Sequence, residues 1–211
     1  MQTITRIWWT ARLAALDFVA DGRALAATEF AVIVPLMLVL FFGTVELSSA
    51  VAIDRKVTLA ARTLSDLTSQ SVGNVTDSYL QNAFTASISI MTPYDATPVK
   101  ATISEIYVDS TKTATVQWSK AATIASGATQ AALTTSSRNA GDTVTALLPA
   151  TLLVAKSYVI FSEVSYLYTP SVGYVLKSGV TMSDVSYTRP RQVSCILYPP
   201  ANLPASNCPT P

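Results

Sequence analysis

The chain contains no histidine. That absence removes the commonest metal ligand and general base, and with it the usual serine and cysteine triads. Charge is also scarce: 14 Lys and Arg against 13 Asp and Glu make up 13% of 211 residues, with a formal net charge of +1. So balanced a chain offers no electrostatic attraction to nucleic acid. Only two cysteines occur, Cys195 and Cys208, both near the C-terminus. In an oxidising compartment a disulfide between them would be worth about 3 kcal/mol, by the closure of so short a loop; two free thiols are the alternative.

Apolar residues are concentrated near the N-terminus, in ALAATEFAVIVPLMLVLFFGTVELSSAVAI, Ala24–Ile53. About 20 mainly apolar residues suffice to cross a bilayer as a helix, and from Ala24 to Val45 the clearly polar residues are Thr28, Glu29 and Thr44. A carboxylate costs up to about 3 kcal/mol at a bilayer centre and less near its edge. Glu29 therefore reads either as a charge favoured by the helix dipole near an N-terminus or as a group that pairs with a cation on an adjoining subunit. Pro35 removes one backbone hydrogen bond, which membrane helices tolerate.

The helical pattern continues past the span. Ala50, Ile53, Val57, Ala60, Leu64 and Leu67 are spaced 3, 4, 3, 4, 3, the rhythm of a packed seam. Gly73 and Asn74 supply a stop. One continuous helix is expected from about Ala24 to Ser71, roughly 70 Å long at 1.5 Å per residue. Its outer half should support a domain or pack against neighbouring helices.

Beyond Asn74 the composition turns to Ser, Thr, Tyr and Val. Period-two patterns predict strands at Thr85–Met91, Val99–Val108, Thr113–Trp118, Tyr158–Tyr168 and Val180–Tyr187, with a short helix at Tyr79–Phe84. Lys120–Asp142, rich in Ala, Thr, Ser and Gly, reads as a surface loop. The expected architecture is α+β: a long N-terminal transmembrane helix followed by a small, mainly antiparallel β ectodomain packed on the helix. The organisation is a cytoplasmic leader (1–23), a transmembrane helix (24–46), its extracytoplasmic continuation (47–73), a β-rich ectodomain (74–197) and a Pro-rich tail (198–211). The leader, with Trp8 and Trp9, suits either an interfacial helix or a removable segment. Positive charges tie across the span, with Arg6, Arg12 and Arg23 before it and Arg55, Lys56 and Arg62 after it. The cysteine pair and the Ser/Thr-rich strands favour an extracytoplasmic C-terminal part.

No catalytic constellation stands out. Glu105 with Asp109, or Glu163 with Asp184, can be posed as carboxylate pairs, but nothing in their spacing supports it. Asn74-Val75-Thr76 fits the glycosylation pattern only weakly. The aromatic set Tyr158, Phe161, Tyr166, Tyr168, Tyr174 and Tyr187 reads as sheet core and cross-strand packing. A secretory signal peptide, cut after Ala50-Val51-Ala52, is a rival reading of the N-terminus; the seam runs straight through that cut.

The segment Ala26-Ala27-Thr28-Glu29-Phe30-Ala31-Val32-Ile33-Val34-Pro35 resembles the signature of the TadE/TadG-type proteins of bacterial tight-adherence (Tad) pilus systems. Ala60–Leu67, Val159–Pro170 and Tyr187–Arg191 resemble further motifs of these proteins, in the same order. The resemblance implies a non-enzymatic minor pilin or pseudopilin of the inner membrane, with no cofactor, no nucleic acid and no small-molecule substrate. Its ectodomain would be periplasmic. Its partners would be lipid, other pilin-like subunits and the inner-membrane assembly platform, with Glu29 as the assembly contact. Pilin-like members are cut after a glycine, which leaves the glutamate fifth. Here Gly22 precedes Glu29 by seven positions, and a cut giving Glu29 the fifth place falls between Ala24 and Leu25. A signal-anchored or secreted adhesion module that works alone is the alternative, and an envelope hydrolase is disfavoured by the missing histidine.

Overall fold

The computed structural model describes residues 22–170 and 179–198, with side chains from Leu25 onward in the first stretch. The first element, α1, is a single 48-residue helix, Gly22–Ser69, with Pro35 inside it. It ends two residues short of the expected Ser71, before Gly73, whose φ of +153° is open to glycine but strained for other residues. The chain divides into two compact units, one holding residues up to Ser48 and one beginning at Ser49, and the second carries the folded domain.

In that second unit, α2 (Asp77–Ser89) follows a short turn. Thr76 caps it, accepting a hydrogen bond from the Tyr79 amide at 3.2 Å. The segment Thr85–Met91, expected as a strand, is therefore the last turns of this helix. Leu80, Ala83, Phe84, Ser87 and Ile88 are its buried residues, a stripe of helical period that begins upstream of the alternating TASISIM. The short alternation is an accident of serine and isoleucine placement, and the longer stripe wins.

Five antiparallel strands follow: β1 (Val99–Val108), β2 (Ala114–Thr123), β3 (Ala132–Thr135), β4 (Ser157–Tyr168) and β5 (Val180–Thr188), in the spatial order β3-β2-β1-β4-β5. Lys120–Asp142 is not a plain loop. Its first residues extend β2, and Ala132–Thr135 pairs with Lys120–Thr123. The strand escaped notice because it lies at an edge with no fully buried residue, so no apolar alternation marks it.

The sheet is covered on both faces. One core joins Ile53, Val57, Ala60, Ala61 and Leu64 of α1 and the buried stripe of α2 to Ala101, Ile103, Ile160 and Val164 of the strands. A smaller core on the opposite face joins Ile106, Val116, Val159 and Phe161 to Val144 and Leu148 from the segment between β3 and β4. Small residues let α1 approach the sheet closely. Ser162 Oγ donates to the Ala61 carbonyl at 2.6 Å, Ser65 and Ser186 hydroxyls meet at 2.9 Å, and Thr188 Oγ1 donates to the Ser65 carbonyl at 3.1 Å. Lys56 Nζ reaches the Ile90 and Thr92 carbonyls at 2.7 and 2.8 Å, satisfying acceptors left open just past the end of α2.

Of the aromatic set, Tyr158, Phe161, Tyr166 and Tyr168 are buried, and Tyr187 stacks on Phe161 at 5.0 Å. Tyr174 lies outside the described residues, as do the leader with Trp8 and Trp9 and the tail beyond Tyr198.

Candidate assembly and membrane-anchoring helix

The first half of α1 is exposed along most of its length. Leu25, Phe30, Val32, Leu36, Leu40 and Phe41 each keep 60% or more of their surface accessible. Apolar surface of this extent on one helix marks a lipid-facing or partner-facing segment. Its two hydroxyls bond to their own helix, Thr28 Oγ1 to the Leu25 carbonyl and Thr44 Oγ1 to the Leu40 carbonyl, both at 2.8 Å. Neither hydroxyl then needs water, which suits hydrocarbon surroundings. Among the described residues, α1 is the one helix long and apolar enough to cross a membrane.

Glu29 lies in this exposed half, one turn after Leu25. Gly22, Ala24 and Leu25, the residues around the two conceivable cleavage points, occupy the start of the same helix. Glu46 is buried, with 6% exposure. It stands four residues before Ala50, in register with the seam; the 3,4 spacing, carried one step back, is the signal that would have found it. Glu29 and Glu46 are 17 positions apart, about 25 Å along a helix.

From Ser49 onward the seam is covered by its own domain. Ile53, Val57, Ala60 and Leu64 are no more than 2% exposed, and Ala50 and Leu67 pack against the same core half-buried. Of the two expected uses for the seam, support of the domain or packing against neighbouring helices, the described residues display the first. Off the seam, Asp54, Arg55 and Arg62 are exposed, and Asp66 pairs with Arg191 at 2.5 Å.

The carboxylates posed as pairs are separated by the sheet. Glu163 faces the smaller core and pairs with Arg138, whereas Asp184 stands opposite Val164 on the helix-facing side. Asp109 accepts from the Thr111 and Thr113 amides at the β1–β2 turn, at 2.7 and 2.9 Å, and hydrogen bonds chiefly from the Thr111 side chain hold its carboxyl below the usual range. Glu105 is fully buried on the helix-facing side of β1. Burial pushes its carboxyl up to about 8, against the opposing pull of hydrogen bonds from the Ile196 amide and the Trp118 indole. Sequence reasoning missed its role because a glutamate in a strand reads as solvated.

Cys195 is buried and disulfide-bonded; Cys208, its expected partner, lies outside the described residues. No cluster of three His, Cys, Asp or Glu suited to a metal ion occurs among the described residues.

With this geometry in place, comparison with known proteins is decisive for one segment. Residues 25–65 match the family model of TadE-like proteins. Over this segment the helix is similar to TadE-like proteins. The match begins at Leu25, takes in Glu29 and the exposed apolar stretch, and ends one residue past Leu64 in the packed seam. It agrees with the resemblance drawn from Ala26–Pro35 and Ala60–Leu67. No curated protein and no solved structure is significantly similar to the chain. Most of the domain that follows the matched helix therefore rests on its own structure.

Proposed function

We propose that this protein is a non-enzymatic, membrane-anchored, minor pilin-like subunit that acts in assembly of a Tad-type pilus. The observation that carries this reading is the coincidence of the TadE-like match with an exposed apolar half-helix bearing one carboxylate, Glu29. An apolar helix 22 residues long from Ala24 to Val45 spans about 33 Å, enough for a hydrocarbon core of about 30 Å. Glu29 then lies inside one edge of the apolar layer, where a cation from a neighbouring subunit would relieve its desolvation.

In this reading residues 24–46 anchor the chain in the inner membrane, and the N-terminus is cytoplasmic. The continuation 47–73 and the domain 74–197 are periplasmic, and Cys195 pairs with Cys208 in that oxidising compartment. The seam Ala50–Leu67 holds the domain to the anchor, leaving the exposed half free for lipid, pilin-like helices and the assembly platform. The domain offers a capping or interaction surface.

Mass spectrometry of the mature N-terminus tests the anchoring. A chain beginning at Arg23 or Leu25 is the expected product of pilin-type processing, and an intact leader indicates a permanent anchor; both keep Glu29. A mature chain beginning at Ile53 would remove Glu29 together with the apolar half and would overturn the proposal in favour of a secreted domain.

A further inference from the structure

Strand β2 carries a notch in the edge it turns to β3. On one side of the notch Lys120 pairs with Thr135 of β3. On the other, Thr115 stands opposite Thr143. There the Val116 amide donates to the Asp142 carbonyl at 2.9 Å, and the Gly141 amide donates to the Val116 carbonyl at 2.8 Å. Between these fastenings the chain leaves β2 in a detour over residues 136–140. The register shift between Glu105 and Ile106 skips Gln117 at the same place, and such irregularities re-aim side chains at a sheet edge. The result is a cavity of about 390 Å³, at the small end of the range of about 300–1,000 Å³ that ligand sites occupy.

Its walls differ in chemistry. On the helix-facing side stand Lys120, opposite Ile103 of the main core, and the half-buried Tyr198. Tyr198 is held in place: its hydroxyl donates to Asp77, and its ring lies 5.7 Å from that of Trp118. The Trp118 indole N–H is in turn spent inward, on Glu105 Oε2 at 3.0 Å and the Ile196 carbonyl at 2.6 Å. On the opposite side stand Ser136, which accepts from Ser119 Oγ at 2.6 Å, and Arg138, which pairs with Glu163 and lies 5.2 Å over the Phe161 ring. Gln117 and Asn139 also line the cavity, and none of its lining residues is acidic. Lys120 Nζ lies 4.8 Å from the centre of the Tyr198 ring and forms no ion pair among the described residues.

We propose that this notch binds a carboxylated pyranose, a uronic acid unit either free or within a polysaccharide. Each part of such a ligand meets a matching wall. A pyranose presents an apolar ring face that packs on an aromatic side chain. Trp118 is 7% exposed whereas Tyr198 is half-buried, so Tyr198 is the ring with a face to offer. Vicinal hydroxyls both donate and accept, as do the side-chain amides of Gln117 and Asn139 and the hydroxyl of Ser136. The carboxylate takes Lys120, whose ammonium has three donors and no carboxylate of its own. Arg138 shares its charge with Glu163 and adds to the positive field. An extended acidic peptide suits the site less. Strand addition needs a free run of edge, and the notch leaves only Gln117–Ser119 between its two fastenings.

Titration of the full-length protein in detergent with galacturonate, galactose and acetate, followed by proton–nitrogen correlation spectra, tests the site without any variant. Galacturonate should shift the resonances of Gln117–Lys120 and Asn139 saturably in the millimolar range. Galactose and acetate should each bind about tenfold or more weakly, because each lacks one of the two matched halves. Lys120→Met keeps the aliphatic stem and removes the charge; it should weaken galacturonate about tenfold or more and leave galactose unchanged. Lys100→Met, exposed on β1 outside the notch, should change neither. No saturable shift at the notch from galacturonate would overturn the proposal. So would acetate binding as tightly as galacturonate, which marks a plain anion site, or tetraglutamate binding more tightly, which marks a peptide site. Equal losses in the two lysine variants would overturn it as well.

Discussion

Leu64→Ala should destabilise the folded domain by about 2–5 kcal/mol, whereas Leu59→Ala, five residues earlier on the same helix, should change stability by no more than about 0.5 kcal/mol. Leu64 is fully buried in the core shared by α1 and the sheet, and Leu59 is 51% exposed. Truncating Leu64 removes apolar contact and leaves a cavity whose far wall, the sheet, is held by strand pairing and cannot collapse to fill it. A domain of this size has about 5–15 kcal/mol in hand, so the first change spends a large share of it. Denaturant unfolding of the two full-length variants in the same detergent checks the contrast. Equal losses would mean that the seam does not hold the domain to the helix.

The second large effect concerns Glu29. Glu29→Gln should leave membrane insertion intact, because an amide costs less than a carboxylate to place in hydrocarbon. Assembly should fail. Removing one member of a desolvated charge pair costs about 3–5 kcal/mol, which is more than a hundredfold in a docking equilibrium at 1.4 kcal/mol per tenfold. Counting pili and recovering partner subunits from the membrane fraction read the result. Normal piliation with normal partner recovery would remove the docking role from Glu29.

The helix was the most legible part of the chain. A 3,4 spacing over Ala50–Leu67 describes a face that one sheet covers, and burial at Ile53, Val57, Ala60 and Leu64 follows it. Strands β1, β4 and β5 were legible within a residue of their ends because each carries a run of β-branched and aromatic residues between turn-forming ones. Their interiors were less so. In β1 the residues Ile103 to Ile106 are buried consecutively, since a core lies on each face and a register shift falls between Glu105 and Ile106 opposite β2. A strand buried on both faces loses the alternation that distinguishes inside from outside. Glu105 disappears into that run. Its partners, Trp118 and Ile196, lie 13 and 91 positions away, a separation no local pattern reports. The same holds for Arg138 and Glu163, 25 positions apart, which tie the segment after β3 to β4.

The seam also divides α1 by burial. From Ile53 to Leu64 its apolar stripe is consumed by the protein's own sheet; from Leu25 to Val45 its apolar surface stays exposed. The TadE-like match runs across both halves. On the function proposed above, the one carboxylate in so apolar a stretch would give specificity to docking an otherwise featureless helix, its desolvation relieved only by the right partner.

Site-specific photo-crosslinking at Ile33, one turn beyond Glu29, in cells assembling the pilus tests this account most directly. The account predicts a discrete crosslink to the helix of another pilin-like subunit that disappears in E29Q while the protein stays in the membrane. Crosslinking to lipid alone, or an adduct unchanged by E29Q, would contradict it.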